Sequence, residues 1–119
     1  MELTHHDLDD GVRKIDLSGR LDLEGANAID LRFTSLTAAA QTFAIIDLAG
    51  VEFIASIGIA TLVRAARAAR LRDGNLVLIH PRPNVAQVLI SMKIDQLLPV
   101  YASLDEARAA VRTVPPSRA

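Results

Sequence analysis

The chain has no cysteine in its 119 residues. Disulfides, thiolate metal sites and a cysteine nucleophile are therefore excluded, which is compatible with a reducing cytosol. It also lacks an excess of either charge: 13 basic and 14 acidic residues give a formal net charge of -1, and no polybasic block stands out. Nucleic acid and anionic membrane surfaces both depend on dense Lys/Arg contacts, so a protein partner or a small ligand is the better expectation. Aromatics are scarce, and three Phe with one Tyr do not make a base-stacking platform. There is no phosphate-cradling glycine loop and no pair of acids arranged for catalysis. Long uninterrupted apolar runs are missing too. Ile45 to Val63 comes nearest, but Asp47 and Glu52 interrupt it, and an Asp near the centre of a spanning helix costs roughly 3 kcal/mol. Direct membrane insertion is not expected. The opening "MELTHHDLDDG" has no basic end followed by an apolar stretch, so it does not read as a signal peptide, and the expected location is cytoplasmic.

Apolar residues make up 50% of the chain, enough for one core at this length. One domain is expected over residues 1–113, with 114–119 as a flexible C-terminal tail. Glu2 to Leu8 and Val12 to Leu17 flank the turn signal "DDG" and predict a hairpin. Ile29, Phe33, Leu36 and Ala40 recur at helical spacing within a helix predicted over 25–41. "FAIIDL" has the continuous apolar pattern of a central strand. Ile59, Leu62, Val63, Ala66 and Ala69 then align a second helix over 57–72, predicted to stop where Gly74 takes the left-handed conformation. "NLVLI" is another buried strand, and a short helix follows Pro81 and Pro83, with Asn84 or a neighbour near its start. After "LLPVY", "SLDE" predicts a capping box between Ser103 and Glu106 that opens a last helix. Strands alternating with helices after an initial hairpin imply an α/β fold with a mixed sheet.

Within this order "FIASIGI" stands out, because one hydroxyl, Ser56, interrupts a buried-looking run two places before Gly58. The plain reading makes Ser56 a helix N-cap, worth about 1 kcal/mol. The same position lies at a helix N-terminus, where amides and the dipole favour a negative group. A phosphate on Ser56 would add about -1.5 to -2 charge to an apolar loop and change how it packs on a partner. A nucleophile elbow is the third reading, with Ser56, Asp73 and His80 in the right chain order. It fails because Ile54 stands where glycine is expected, and Asp73 and His80 flank opposite ends of "NLVLI". No enzymatic activity and no cofactor are expected.

Other polar residues fit ordinary roles. Arg64, Arg67 and Arg70 recur every three residues and read as a solvated helix face. His5 and His6 are adjacent on a strand and point to opposite faces, and His80 has no neighbouring ligand in sequence, so no metal site is expected. Asp47 reads as a polar group at the end of its strand, beside the Ser56 loop and hydrogen-bonded to backbone amides.

The elements "SGRLD", "DLAGVEFI", the serine and glycine opening the helix, "DGNLVL" and "LLPVYASLDEA" follow one another over Val12 to Ala110. In this order and spacing the chain resembles the STAS domain, in particular the stand-alone bacterial anti-sigma factor antagonists. The resemblance implies a single-domain mixed β-sheet with an N-terminal hairpin and about four helices covering it. It also implies partner switching, in which the unphosphorylated antagonist binds an anti-sigma factor that is a serine kinase, phosphorylation releases it, and a phosphatase resets the cycle. The phosphoacceptor of the family motif D-S-[ST]-G maps onto Ser56, and the flanking glycine onto Gly58. Ala55 stands where the motif has Asp, and Ile57 where it often has Ser or Thr, which removes a carboxylate cap and a polar feature that a kinase could read. The implied partner-binding surface is Asp22 together with Glu52, Phe53, Ile54, Ala55, Ser56, Ile57, Gly58 and Ile59. The resemblance also allows a second role, as a non-phosphorylated accessory subunit of another complex such as a lipid-transport ABC ATPase.

Overall fold

The computed structural model describes residues 1–113; the proposed tail, 114–119, lies outside the described residues. Strands β1 (Glu2–Asp7) and β2 (Val12–Leu21) form the hairpin. They are followed by α1 (Leu23–Ala38), β3 (Phe43–Ile54), α2 (Ser56–Leu71), β4 (Asn75–Ile79), α3 (Pro83–Ser91), a short 3-10 turn (Ile94–Gln96), β5 (Val100–Tyr101) and α4 (Leu104–Val111). The sheet runs β1-β2-β3-β4-β5. β1 is antiparallel to β2, and every other neighbouring pair is parallel. This is the mixed sheet that the alternation of elements predicts.

The two faces of the sheet are covered unequally. Ile15, Leu17, Ala44, Ile46, Leu48, Leu76 and Leu78 point to one face and pack beneath Phe33 of α1, Leu62 of α2 and Leu89 of α3. Val12, Ile45, Val77 and Ile79 point to the other and meet Ala107 and Val111 of α4, with Leu8, Phe43, Tyr101 and Leu104 packed at the margin. A strand buried on both sides must be apolar at successive positions, which is why "NLVLI" is unbroken. The run from Ile45 to Val63 divides between β3, Ala55 and α2. Among the described residues no helix is long and apolar enough to cross a membrane.

β3 extends six residues beyond the predicted "FAIIDL". Two register shifts against β2 explain the difference: Asp16 faces Asp47 but Ser18 faces Gly50, and Gly19 faces Val51 but Arg20 faces Phe53. β3 thus carries an extra residue near Ala49 and another at Glu52, and each bulge breaks the alternation by which a strand is recognised. Asp47 is accordingly inside β3 rather than at its end. Its carboxylate accepts the Ala49 amide at 2.9 Å and lies 3.3 Å from the Lys14 ammonium.

Gly74 does not take the left-handed conformation; Asp73 does, at φ 64°. Glycine is required at 74 for another reason, since a Cβ there would collide with the Thr42 carbonyl. At α4, Ser103 caps the Glu106 amide at 3.2 Å. The Glu106 carboxylate reaches back to the Ala102 amide at 3.3 Å, one residue before the cap.

Candidate functional site

Two parallel strands, β2 and β3, each deliver the chain into a helix at the same end of the sheet. Leu21 pairs with Ile54, and the Ala55 amide donates to the Leu21 carbonyl at 3.0 Å. Asp22 and Ala55 therefore hold equivalent places, one residue past the paired strand ends. Both have extended backbone, Asp22 at φ -105° and Ala55 at φ -104°. Asp22 is the N-cap of α1, and its carboxylate accepts the Gly25 amide at 3.0 Å. Ala55 is the N-cap of α2 and has no side-chain oxygen to do the same.

Ser56 is thus not the cap that the plain reading expects. It is the first residue inside α2, because the Ala55 carbonyl already accepts the first helical bond, from Ile59 at 3.1 Å. The serine is exposed, beside helix amides that no side chain caps.

The residues singled out from the sequence divide by orientation. Glu52, Phe53, Ser56 and Ile57 face solvent, while Ile54, Gly58 and Ile59 are buried and Ala55 is intermediate. Phe53 and Ile57 remain 38% and 37% exposed, and Leu23 at the start of α1 is 60% exposed. These apolar side chains surround a junction that ends in a hydroxyl. Gly58 makes the close approach workable, since a Cβ there would run into the Leu21 carbonyl and side chain.

Sequence reasoning did not single out Arg20. Its guanidinium lies over the Phe53 ring, 4.4 Å from the centroid, with Nε 3.4 Å from the Asp22 carboxylate. Arg20 is the one cation within the two junction segments, 20–24 and 52–59. The Gly25 amide, with the weaker pairing to Arg20, holds the Asp22 carboxyl below its usual range. Arg82 and Asn84 were also not foreseen as site residues. The Arg82 Nε donates to the Ala49 carbonyl at 2.9 Å, and the Asn84 amide donates to the Glu52 carbonyl at 2.9 Å. The start of α3 thereby satisfies a carbonyl at each bulge leading to Ser56. No sequence signal marks this, because partners 32 and 33 residues apart meet only through the bulges.

The remaining candidates stay apart from this junction. Asp73 and His80 flank opposite ends of β4, so they do not converge with Ser56 into a triad. Arg64 and Arg67 are exposed as expected. Arg70 is not part of a solvated stripe: it donates to Asn75 Oδ1 at 3.1 Å and to the Leu97 carbonyl at 2.6 Å, and burial pushes its guanidinium down. His5 and His6 are exposed, and among the described residues no group of three His, Cys, Asp or Glu side chains converges as a metal site would require.

The family model of the STAS domain matches residues 6–107. Among solved structures, an anti-sigma factor antagonist from Mycobacterium paratuberculosis is 26% identical with a TM-score of 0.81, and the alignment covers 93% of each chain. An anti-sigma-factor antagonist (STAS) domain protein from Planctomyces limnophilus is also 26% identical, with a TM-score of 0.77, covering 92% of this chain and 96% of the other. The phosphorylated form of the Bacillus cell fate determinant SpoIIAA shares the fold at 19% identity and a TM-score of 0.69, covering 93% of this chain and all of that one. No curated protein matches the chain in sequence.

Proposed function

This chain belongs to the STAS domain family, and from that membership we propose that it is an anti-sigma factor antagonist that binds an anti-sigma factor with serine kinase activity and is switched by phosphorylation of Ser56. One observation carries the reading: an exposed serine opens α2 inside a patch of exposed Leu23, Phe53 and Ile57. The apolar side chains are the binding component and the hydroxyl is the switch. The binding surface comprises Asp22, Glu52, Phe53, Ala55, Ser56 and Ile57, with Ile54, Gly58 and Ile59 holding the loop from beneath. A phosphate on Ser56 adds about -1.5 to -2 charge to junction segments that carry Asp22, Glu24 and Glu52, with Arg20 as the one cation within those segments. That charge makes the apolar contact costly to desolvate. The uncapped amides and dipole of α2 hold the phosphate without disturbing the fold, and a phosphatase restores the binding form.

Intact-mass spectrometry after incubation with ATP and the cognate kinase tests this, with Ser56→Ala as the control. The expected result is a gain of one phosphate in the wild type, loss of the gain in Ser56→Ala, and release of the complex on phosphorylation. A stable complex in which the mass never changes overturns the switch.

Ala55 favours a second reading. With no carboxylate at the α2 cap, a kinase that reads the family's aspartate finds no target, and the chain then acts as a constitutive STAS subunit, for example of a lipid-transport ABC ATPase. Co-purification with transporter subunits rather than an anti-sigma factor is the result that selects it.

A further inference from the structure

Two loose contacts hold the Arg20 guanidinium at the junction. It lies over the Phe53 ring, 4.4 Å from the centroid, and its Nε donates to the Asp22 carboxylate at 3.4 Å, long for a charge-assisted bond. The other carboxylate oxygen of Asp22 is committed to the Gly25 amide at 3.0 Å. Among the described residues, the bond from Nε is the one hydrogen bond that the guanidinium makes. Its place decides what else it can reach. Arg20 pairs with Phe53 and Leu21 with Ile54, and the Ala55 amide donates to the Leu21 carbonyl at 3.0 Å. Nε therefore already extends to Asp22, level with Ala55, and the next residue is Ser56. Ser56 stands three residues beyond Phe53, no more than about 10 Å along an extended chain, a gap that an arginine stem and a phosphoserine side chain close between them.

We propose that Arg20 carries the state of Ser56 to Phe53: on the unmodified chain it covers the ring, and on the phosphorylated chain it turns to the phosphate and leaves the ring bare. This rests on Ser56 being the residue that is modified. An exposed cation–π contact and a long, exposed ion pair are both weak, whereas a guanidinium fork on a phosphate is a strong, bidentate contact. Asp22 keeps its bond to the Gly25 amide when Arg20 leaves, so α1 stays capped. Phosphorylation then changes the patch twice, by adding charge at residue 56 and by removing a cation from residue 53. Arg20 is a positioning residue of the switch, acting on a ring that the partner touches.

Phosphoserine inserted at position 56 during translation tests this without any kinase. By phosphorus NMR the phosphate is expected to lose its second proton below about pH 6, and at a lower pH in the wild type than in Arg20→Gln, because a guanidinium on the phosphate favours the dianion. The Phe53 ring protons are expected to shift on phosphorylation in the wild type, towards their positions in unmodified Arg20→Gln, and to shift far less in Arg20→Gln itself. Arg20→Lys, which keeps the charge without the fork, is expected to fall between. The side chain is exposed, and circular dichroism checks that each variant folds. A phosphate that titrates alike in the wild type and Arg20→Gln overturns the proposal, and so does a Phe53 ring that phosphorylation leaves unmoved. Failure of the switch reading looks different: the mass of the unmodified chain stays constant with kinase and ATP, while the phosphoserine chain still gives its answer.

Discussion

Asp22 and Ala55 occupy the same place at neighbouring strand ends, and only one of them caps its helix. The contrast yields a direct substitution. Ala55→Asp should supply the missing oxygen to α2 and stabilise the fold by about 1 kcal/mol, read as a raised midpoint in urea denaturation with an unchanged slope. Ser56→Ala, by comparison, removes no cap, and its midpoint should stay within about 0.5 kcal/mol of the wild type. Gly58→Ala should cost about 1–3 kcal/mol by forcing a methyl group against Leu21; a wild-type midpoint in that variant would show that α2 can shift away from β2. At this scale the sequence was partly legible. The serine and glycine of "ASIG" are visible as residues, but whether Ser56 or Ala55 is the cap depends on which carbonyl accepts the first helical bond, and that is fixed by where β3 ends. Arg20 was hidden for a related reason: its place over Phe53 requires the one-residue offset at Glu52.

The elements themselves follow closely from periodicity, because α1, α2, β4 and α4 each meet one kind of surroundings along their length. β3 does not. Its first half is buried between helices on both faces, and its second half projects past β4, which pairs with it only from Phe43 to Asp47. Reading alternation alone ends the strand at Leu48 and makes the rest a loop. Pairing with β2 keeps that second half extended, and the start of α3 adds a donor to a carbonyl at each bulge. Removing the donors with Arg82→Ala and Asn84→Ala should each cost about 0.5–1.5 kcal/mol. The more telling readout is hydrogen exchange, in which the amides of Val51 to Ile57 should lose protection while those of β4 keep theirs. Uniform loss across the sheet would mean that these bonds support the whole fold rather than the approach to Ser56.

For the molecule as a whole, ion pairs and hydrogen bonds tie the turn of the β1–β2 hairpin to α4 and brace the hairpin itself. Arg108 donates to Asp10 at 2.9 Å and to Asp9 at 3.1 Å, Arg112 donates to the Asp10 carbonyl at 2.7 Å, and Arg13 pairs with Asp7 at 2.6 Å. The hydrogen bonds from Arg108 and Arg13 hold Asp10 and Asp7 below their usual 3.8, and the Gly25 amide does the same for Asp22. A depressed folded value means that the unfolded chain binds more protons between the two values. These groups therefore stabilise fully above about pH 5, and their contribution is lost as the pH falls through 3.8 towards the folded values. Denaturation midpoints measured from pH 7 to pH 3 should be level at first and then fall. A midpoint that holds to pH 3 would show these exposed pairs to be fully screened by solvent.

The clasp between Arg108 and Asp10 joins residues 98 positions apart. On a ribosome adding about 5–20 residues per second, Asp10 is made on the order of 5–20 s before its partner. Until α4 is made, Val12, Ile45 and, once they are added, Val77 and Ile79 lack the cover of Ala107 and Val111. Covering of this face of the sheet therefore waits on the synthesis of α4, and a chain cut short before α4 leaves that face bare.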